Sequence, residues 1–237
     1  GEMPLIDEKE KAVILLSGGI DSTVLLHLLS RRGYALYALA CRYGQRHSRE
    51  LECARIQAAS AGVAAFHYLD MGFLGGLLRE GSALIDSGAP VPDLADIPPD
   101  LRDQPPTYVP NRNMLLLSVA SAYAEALGAP RVFYGAQAQD EYGYWDCTQD
   151  FLERINALLA LNRRQPVTVE APFLRCSKAD NVKLGLELGV DFGATWSCYR
   201  GGKKACGACP TCVERLNAFK IVGVEDPLSY ETGQETP

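Results

Sequence analysis

The sequence has no long apolar run and no long basic run in its 237 residues. No uninterrupted apolar stretch approaches the ~20 residues that a helix needs to cross a bilayer. The N-terminus shows no basic-then-apolar signal pattern. The net charge is −6 and the mean hydropathy is −0.06, whereas a protein whose main ligand is a nucleic acid normally carries a basic face. These absences predict a cytoplasmic protein with no membrane contact and no nucleic-acid partner.

Two common phosphate-binding motifs are also missing. Without Gly-x-x-x-x-Gly-Lys-[Ser/Thr] no Walker lysine reaches a γ-phosphate, and the lack of Gly-x-Gly-x-x-Gly argues against a nicotinamide or flavin site. In their place, residues 17–22 read Ser-Gly-Gly-Ile-Asp-Ser between an apolar run at 12–16 and a helical pattern at 20–30. Glycines let this backbone approach a ligand, and helix-start N–H groups bind anions, with Asp21 or Ser22 as the expected helix cap. The segment resembles the PP-loop of the ATP pyrophosphatases, which implies that ATP is cleaved between its α- and β-phosphates.

Short apolar strands alternate with helical patterns over most of the chain. Strands are expected at 12–16, 34–41, 64–69, 131–136 and 167–171, and helices at 20–30, 48–61, 114–127, 149–162 and 178–188. This alternation predicts an α/β fold with a parallel sheet and right-handed crossovers. Ligands then bind beyond the carboxyl ends of the strands. Ser177 and Asp180 have the spacing of a capping box for the helix that starts at 178.

Residues 72–106 interrupt this rhythm. Glycines come first, and six prolines follow within the seventeen residues 90–106, interleaved with aspartates. Such a proline density excludes a regular helix or a central strand. A loop of this length is either a substrate lid or a mobile segment.

Eight cysteines in a chain without a signal pattern do not indicate a disulfide framework. Four of them have the spacing Cys-x7-Cys-x2-Cys-x2-Cys: Cys198, Cys206, Cys209 and Cys212. This spacing predicts a closed, structural Zn²⁺ site with four thiolates. An iron–sulfur cluster is the rival, but nothing else in the sequence suggests electron transfer. We therefore expect a nucleotide-binding α/β domain at 1–195, with 72–106 as a lid-like insertion, and a zinc-binding segment at 196–237 packed on it. Of the other cysteines, Cys147 is the one worth testing as reactive.

Further motifs narrow the resemblance. They are Tyr43-Gly-Gln-Arg-His47, Thr107-Tyr-Val-Pro-Asn-Arg-Asn113, Asp140 through Cys147, Lys178, and Thr195-Trp-Ser-Cys-Tyr199 leading into the cysteines. Together with the PP-loop, they span nearly the whole chain, which resembles the 7-cyano-7-deazaguanine synthases, the QueC family of queuosine precursor biosynthesis.

The resemblance implies a doubly wound sheet of the adenine nucleotide alpha hydrolase-like type, with helices on both faces and a C-terminal four-cysteine zinc knuckle. It implies an ATP-dependent carbon–nitrogen ligase that uses ATP with Mg²⁺ and acts as a homodimer. The enzyme would adenylate 7-carboxy-7-deazaguanine, release pyrophosphate, and let ammonia displace AMP. A second activation, at the amide, would give the nitrile 7-cyano-7-deazaguanine.

The same resemblance implies roles for particular residues. ATP is expected to bind the loop residues Ser17, Gly18, Gly19, Ile20, Asp21 and Ser22. The catalytic residues are expected to be Ser17, Asp21, Ser22 and Lys178, with Asp21 acting through Mg²⁺. The substrate-side candidates are Arg112, Asp140, Tyr144 and Asp146. Their carboxylates could accept from the guanine-like N–H edge, and their aromatic rings could stack on the base.

Two positions depart from the family pattern. Asn111 stands where the family usually has glycine, and Thr148 stands where it usually has arginine, which leaves room for a wider pocket and a bulkier amine. Three alternatives therefore remain. A diverged relative could join the activated acid to another amine, such as a protein N-terminus. The chain could be a PP-loop enzyme that acts on tRNA, or a zinc-stapled module that senses ATP without turnover.

Overall fold

One parallel sheet forms the centre of the molecule. The computed structural model describes residues 8–43, 49–78, 90–98, 108–138, 140 and 144–231. The strands are β1 Lys11–Leu15, β2 Ala35–Arg42, β3 Ala65–Asp70, β4 Arg131–Phe133 and β5 Thr168–Glu170. All neighbours pair in parallel, in the order β3-β2-β1-β4-β5. The chain adds strands on one side of β1 up to β3 and then continues with β4 on the other side. The loops after β1 and β4 therefore lead in opposite directions and leave a crevice between them.

Helices cover both faces of the sheet. They are α1 Ile20–Arg31, α2 Arg49–Ala61, α3 Phe73–Leu78, α4 Arg112–Leu127, α5 Gln149–Leu159, α6 Lys178–Leu188 and α7 Pro210–Val222. Ala12 and Ile14 of β1 pack in one core with α1, α2, α6 and α7, whereas Val13 packs on the other face with α4 and α5. Because both faces are covered, β1 is continuously apolar after Lys11 rather than alternating with polar residues. The doubly wound α/β fold predicted from the sequence is confirmed.

Two helices were missing from the sequence prediction. The six-residue α3 contains two adjacent glycines, which are poor helix formers. The longer α7 begins with Pro210 at its first turn, directly after Cys209. Proline at the first helical position is a helix-start signal that the cysteine spacing concealed. The capping box of Ser177 and Asp180 is confirmed at the start of α6.

Residues 90–98 of the 72–106 insertion pack against the cysteine-rich segment. Val91 is buried in the same cluster as the four cysteines. Arg200 donates to the Val91 carbonyl at 3.0 Å and pairs with the Asp93 carboxylate. The Leu94 N–H donates to the Ala208 carbonyl at 3.2 Å. The lid expected at 72–106 falls largely on 79–89 and 99–106, which lie outside the described residues.

A buried arginine anchors α7. The Arg215 guanidinium donates to both carboxylate oxygens of Asp226, at 2.7 and 2.9 Å. It also donates to the Thr195 hydroxyl at 2.8 Å and to the Phe192 carbonyl at 3.0 Å. Arg215 is 1% exposed, so its charge depends on these partners. The division of the chain at residue 195 stays a prediction. Among the described residues, no helix is long and apolar enough to cross a membrane.

Candidate active site

The Ser-Gly-Gly-Ile-Asp-Ser loop connects β1 to α1 at the crevice. Gly18 has a φ of +86°, and a Cβ there would lie 2.0 Å from the Glu50 carbonyl oxygen, so only glycine fits. The Ser17 hydroxyl lies 2.9 Å from the Ser22 hydroxyl, and the Gly19 N–H donates to Ser17 Oγ at 3.2 Å. These bonds connect the two ends of the loop.

The start of α1 differs from the sequence prediction. Asp21 and Ser22 lie inside the first turn, and the N-cap residue is Gly19, which makes no side-chain cap bond. The expected cap by Asp21 or Ser22 is therefore wrong, because Asp21 turns to other partners and Ser22 bonds back to Ser17. First-turn N–H groups that no side chain caps are suited to accept an anion.

Lys178 joins the loop to α7. Its ammonium nitrogen lies 3.1 Å from Asp21 Oδ2 and 3.0 Å from Glu214 Oε2, and the residue is 9% exposed. Asn181 donates to the other Asp21 oxygen at 2.8 Å. Burial alone would lower the Lys178 pKa, but the carboxylates of Asp21, Glu214 and Asp140 outweigh it and raise that pKa above its ordinary value. The lysine is therefore a fixed cation beside the loop, not a solvated residue at a helix start.

The loop opens into a cavity of about 270 Å³. Of the predicted site residues, its wall contains Ser17, Gly19, Ile20, Asp21, Ser22, Lys178, Arg112, Asp140, Tyr144 and Cys198. The structure thus brings together the proposed ATP and substrate residues from the ends of β1 and β4 and from the starts of α4 and α6. Gly18 is not on the cavity wall, because it packs against the Glu50 carbonyl on α2.

Two of the predicted acidic side chains differ in their position relative to this cavity. Asp146 is 2% exposed and is not part of the wall, because its carboxylate accepts from the Asn113 N–H at 3.1 Å at the start of α4. Asp140 lies on the wall and accepts from the Gln137 N–H at 3.0 Å, and burial raises its pKa to about 6 against the attraction of Lys178. The expectation of a direct substrate contact thus fits Asp140 and does not fit the position of Asp146.

Glu50, in the first turn of α2, is a wall residue that the sequence did not indicate. Burial raises the pKa of its carboxyl to about 7, because the Arg112 guanidinium offsets only part of the desolvation. In the part of the chain that the structure describes, no hydrogen bond reaches this carboxylate. Glu50 is the second residue after the segment 44–48. Its backbone carbonyl packs against Gly18, a contact that follows from the position of α2 rather than from any motif. Local sequence gave no signal for it.

Aromatic residues and a thiol also line the cavity. Arg112 donates to the Tyr43 hydroxyl at 3.5 Å, and Tyr199 and Tyr144 lie on the same wall. Cys147 also lines the cavity, but burial raises its pKa well above the ordinary value, so it is a buried thiol rather than a reactive thiolate.

The two departures from the family pattern have structural explanations. Asn111 has a φ of +53° and is the one non-glycine residue with positive φ among the residues described. Asparagine tolerates this left-handed conformation better than most residues, so it can replace glycine here. Thr148 caps α5 by accepting from the Phe151 N–H at 3.1 Å, and it is not on the cavity wall. The wider pocket expected at Thr148 is therefore wrong.

The four cysteines form a compact, buried cluster. Their Sγ atoms all lie within 4.8 Å of one another, close to the separation of about 3.8 Å for thiolates 2.3 Å from a tetrahedral zinc ion. The Cys206 N–H points to Cys198 Sγ at 3.4 Å, and the Cys209 N–H points to Cys206 Sγ at 3.3 Å. These N–H groups stabilise thiolate charge, so the donor set fits a four-thiolate metal site.

Comparisons with known proteins agree with this geometry. The 43% identical 7-cyano-7-deazaguanine synthase of Caldicellulosiruptor bescii aligns over 93% of this chain and 97% of its own length. The 7-cyano-7-deazaguanine synthase of Clostridium kluyveri is 40% identical, over 94% of this chain and 98% of its own. NMN synthetase from Francisella tularensis shares the fold, with a TM-score of 0.53 at 14% identity over 92% of this chain and 79% of its own. The family model described as queuosine biosynthesis protein QueC matches residues 11–223. The chain therefore belongs to the QueC family.

Proposed function

We propose that this protein is an ATP-dependent ligase that converts 7-carboxy-7-deazaguanine and ammonia, through the amide, to 7-cyano-7-deazaguanine. The observation that carries the proposal is the single cavity that an anion-binding loop shares with Arg112, Asp140 and Glu50. The relatives that carry the synthase name match almost their whole length. No feature of the described residues favours the tRNA-modifying, ATP-sensing or peptide-joining alternatives.

The loop side of the cavity would bind ATP. Backbone N–H groups at the start of α1 and the hydroxyls of Ser17 and Ser22 are donors for phosphate oxygens. Lys178 adds a positive charge beside Asp21. Mg²⁺ bound with the nucleotide would be held by Asp21 and would neutralise the leaving pyrophosphate. These groups stabilise charge that grows on the leaving group during transfer.

The opposite side would bind the deazaguanine acid. Arg112 is a cation suited to the carboxylate of the acid, and Tyr144 offers a ring for stacking. Asp140 and Glu50 are acceptors for the donor edge of the heterocycle. Asp146 would act indirectly, because its bond to the Asn113 N–H fixes the first turn of α4, where Arg112 begins the helix.

The chemistry then needs no protein nucleophile. A carboxylate oxygen attacks the α-phosphorus, the bond to the β-phosphate oxygen breaks, and pyrophosphate leaves. The nitrogen of ammonia attacks the acyl carbon, the bond to the AMP oxygen breaks, and a proton is lost from nitrogen to give the amide. The amide oxygen attacks the α-phosphorus of a second ATP and pyrophosphate leaves. The bond from carbon to the AMP oxygen then breaks, and the loss of AMP and of both amide protons gives the nitrile. The residues of the cavity bind, orient and neutralise charge in each step.

The cysteine cluster would hold one Zn²⁺ in a closed, structural site, since four thiolates leave no open position for water. The homodimer and the cytoplasmic location implied by the resemblance stay predictions, as does the lack of a nucleic-acid partner suggested by the net charge of −6.

Product mass tests the proposal. The protein is incubated with ATP, the deazaguanine acid, ¹⁵N-ammonium and a competing glycine-terminated peptide. A nitrile carrying ¹⁵N supports the proposal, whereas a stable peptide amide would assign the chain to amine-conjugating relatives. Consumption of ATP without the acid, giving no new product, would contradict both. Asp21→Asn is expected to reduce nitrile formation, and the exposed Asp150→Asn on α5 is expected to leave it unchanged.

A further inference from the structure

Glu214 connects the cysteine-bearing helix to the nucleotide loop. It lies on α7, two residues after Cys212. Its Oε2 pairs with the Lys178 ammonium at 3.0 Å, and its Oε1 accepts from Gln137 Nε2 at 2.9 Å. Both carboxylate oxygens are therefore engaged at the nucleotide side of α7.

Other contacts also hold α7 in place. The neighbouring Arg215 anchors the helix through Asp226, Thr195 and Phe192, at distances of 2.7 to 3.0 Å. The same helix also inserts buried apolar side chains into the core beneath α1 and α6. The side chains of Glu214 and Arg215 thus leave α7 towards different partners, one set at the loop and the other at the 192–195 turn.

The position of the ammonium follows from its two carboxylates. Asp21 holds it from the loop and Glu214 holds it from α7, at 3.1 and 3.0 Å. A lysine side chain is long and has many rotamers. An ion pair with one carboxylate is therefore compatible with several positions of the ammonium, whereas ion pairs with two carboxylates on different elements restrict it to one. Fixed charge stabilises a transition state better than mobile charge, because it needs no reorganisation during the reaction.

We propose that Glu214 is a positioning residue of the nucleotide site, which holds the Lys178 ammonium at the loop for transfer of the α-phosphate. The inference rests on the proposed function for the role of Lys178. It makes α7, the helix that carries Cys212, a direct part of the ATP site, in addition to any structural role of the cluster.

Glu214→Gln tests this inference in the full-length protein. The amide keeps the size of the side chain and can still accept from Gln137, but it removes the charge that faces Lys178. The rate of pyrophosphate exchange into ATP that depends on the acid is expected to fall about tenfold or more at saturating ATP. The KM for ATP is expected to change less, because the contact matters most when charge develops on pyrophosphate. Zinc content should match the parent, and the variant should stay folded at the assay temperature.

Two further variants distinguish positioning from general damage. Glu187→Gln makes the same substitution at an exposed site on α6, the helix that carries Lys178, and should leave exchange unchanged. In a Lys178→Met background, Glu214→Gln should have no further effect, because Glu214 acts through the lysine. An additive loss in the double variant, or an unchanged or faster rate in Glu214→Gln alone, would overturn the inference.

Failure of the proposed function would appear differently. The parent would then show no exchange that depends on the acid, and calorimetric binding of inorganic pyrophosphate, which carries the charge that develops on the leaving group, would replace it as the readout. Weaker binding by Glu214→Gln than by the parent, with no such difference between the Lys178→Met proteins with and without Glu214→Gln, supports Glu214 as the positioning residue. Equal binding in parent and Glu214→Gln overturns it.

Discussion

The raised pKa of Glu50 predicts that this carboxyl makes the stability of the protein depend on pH. Its pKa is about 7 in the fold, against an ordinary value of 4.5, because burial disfavours the charged form. Between these two values the folded protein keeps a proton that the unfolded chain has lost. Stability contributed by Glu50 is therefore greatest below pH 4.5 and falls as the pH rises through 7.

The size of the effect follows from the same two values. At about 1.4 kcal/mol for each pH unit, the difference between 4.5 and about 7 corresponds to about 3 kcal/mol. Glu50→Gln removes this titration while keeping the size of the side chain. The free energy of unfolding of the variant, relative to the parent, should therefore rise by about 3 kcal/mol between pH 4 and pH 8.

Urea unfolding of both proteins at several pH values, with the metal content held constant, measures this difference. Glu52→Gln is the matched control, because Glu52 lies on the same helix but is exposed, and its bonds from Arg55 lower its pKa. The difference for that variant should change in the opposite direction, with stability lost as the pH falls. A difference for Glu50→Gln that does not depend on pH, or that favours the parent at high pH, would refute the reasoning.

Three other substitutions test separate parts of the structure. Asp226→Ala leaves Arg215 buried without its carboxylate and should lower the free energy of unfolding by about 3–5 kcal/mol, whereas Asp150→Ala, which breaks an exposed pair on α5, should cost less than about 1 kcal/mol; equal losses in urea titrations would contradict the burial argument. Asn111→Val should cost about 1–2 kcal/mol at the left-handed position, and Asn111→Gly should be close to neutral; similar melting temperatures for all three residues would show that position 111 is not left-handed. Cys209→Ser should lose bound zinc and soluble protein together, as measured by elemental analysis and yield, because metal binding there contributes folding free energy; a stable, metal-free variant would exclude this.

Local patterns were sufficient for the sheet and the loop. The apolar run that ends at the loop is buried on both faces, and the strand order puts the loop at the reversal point, where parallel sheets bind ligands. The cysteine spacing likewise predicted a cluster, because cysteines separated by only two residues can bind the same metal ion without any long-range contact.

Residues whose roles depend on distant partners could not be predicted in this way. In the sequence, Lys178 is equally compatible with a solvated residue at a helix start, because its partner Glu214 lies thirty-six positions later. Asp146 looked like a free acceptor because the N–H of Asn113, which it accepts from, lies on another element. Thr148 was interpreted by comparison with a family pattern, whereas its local role is to cap α5.

Transfer of oxygen from the acid to AMP tests the central claim most directly. The deazaguanine acid is labelled with ¹⁸O at both carboxylate oxygens and incubated with ATP and ammonium. If the carboxylate and then the amide oxygen attack the α-phosphorus in the cavity beside Ser17 and Lys178, each AMP carries one ¹⁸O, and two AMP form for each nitrile. Unlabelled AMP, or label in pyrophosphate or inorganic phosphate, would contradict this account.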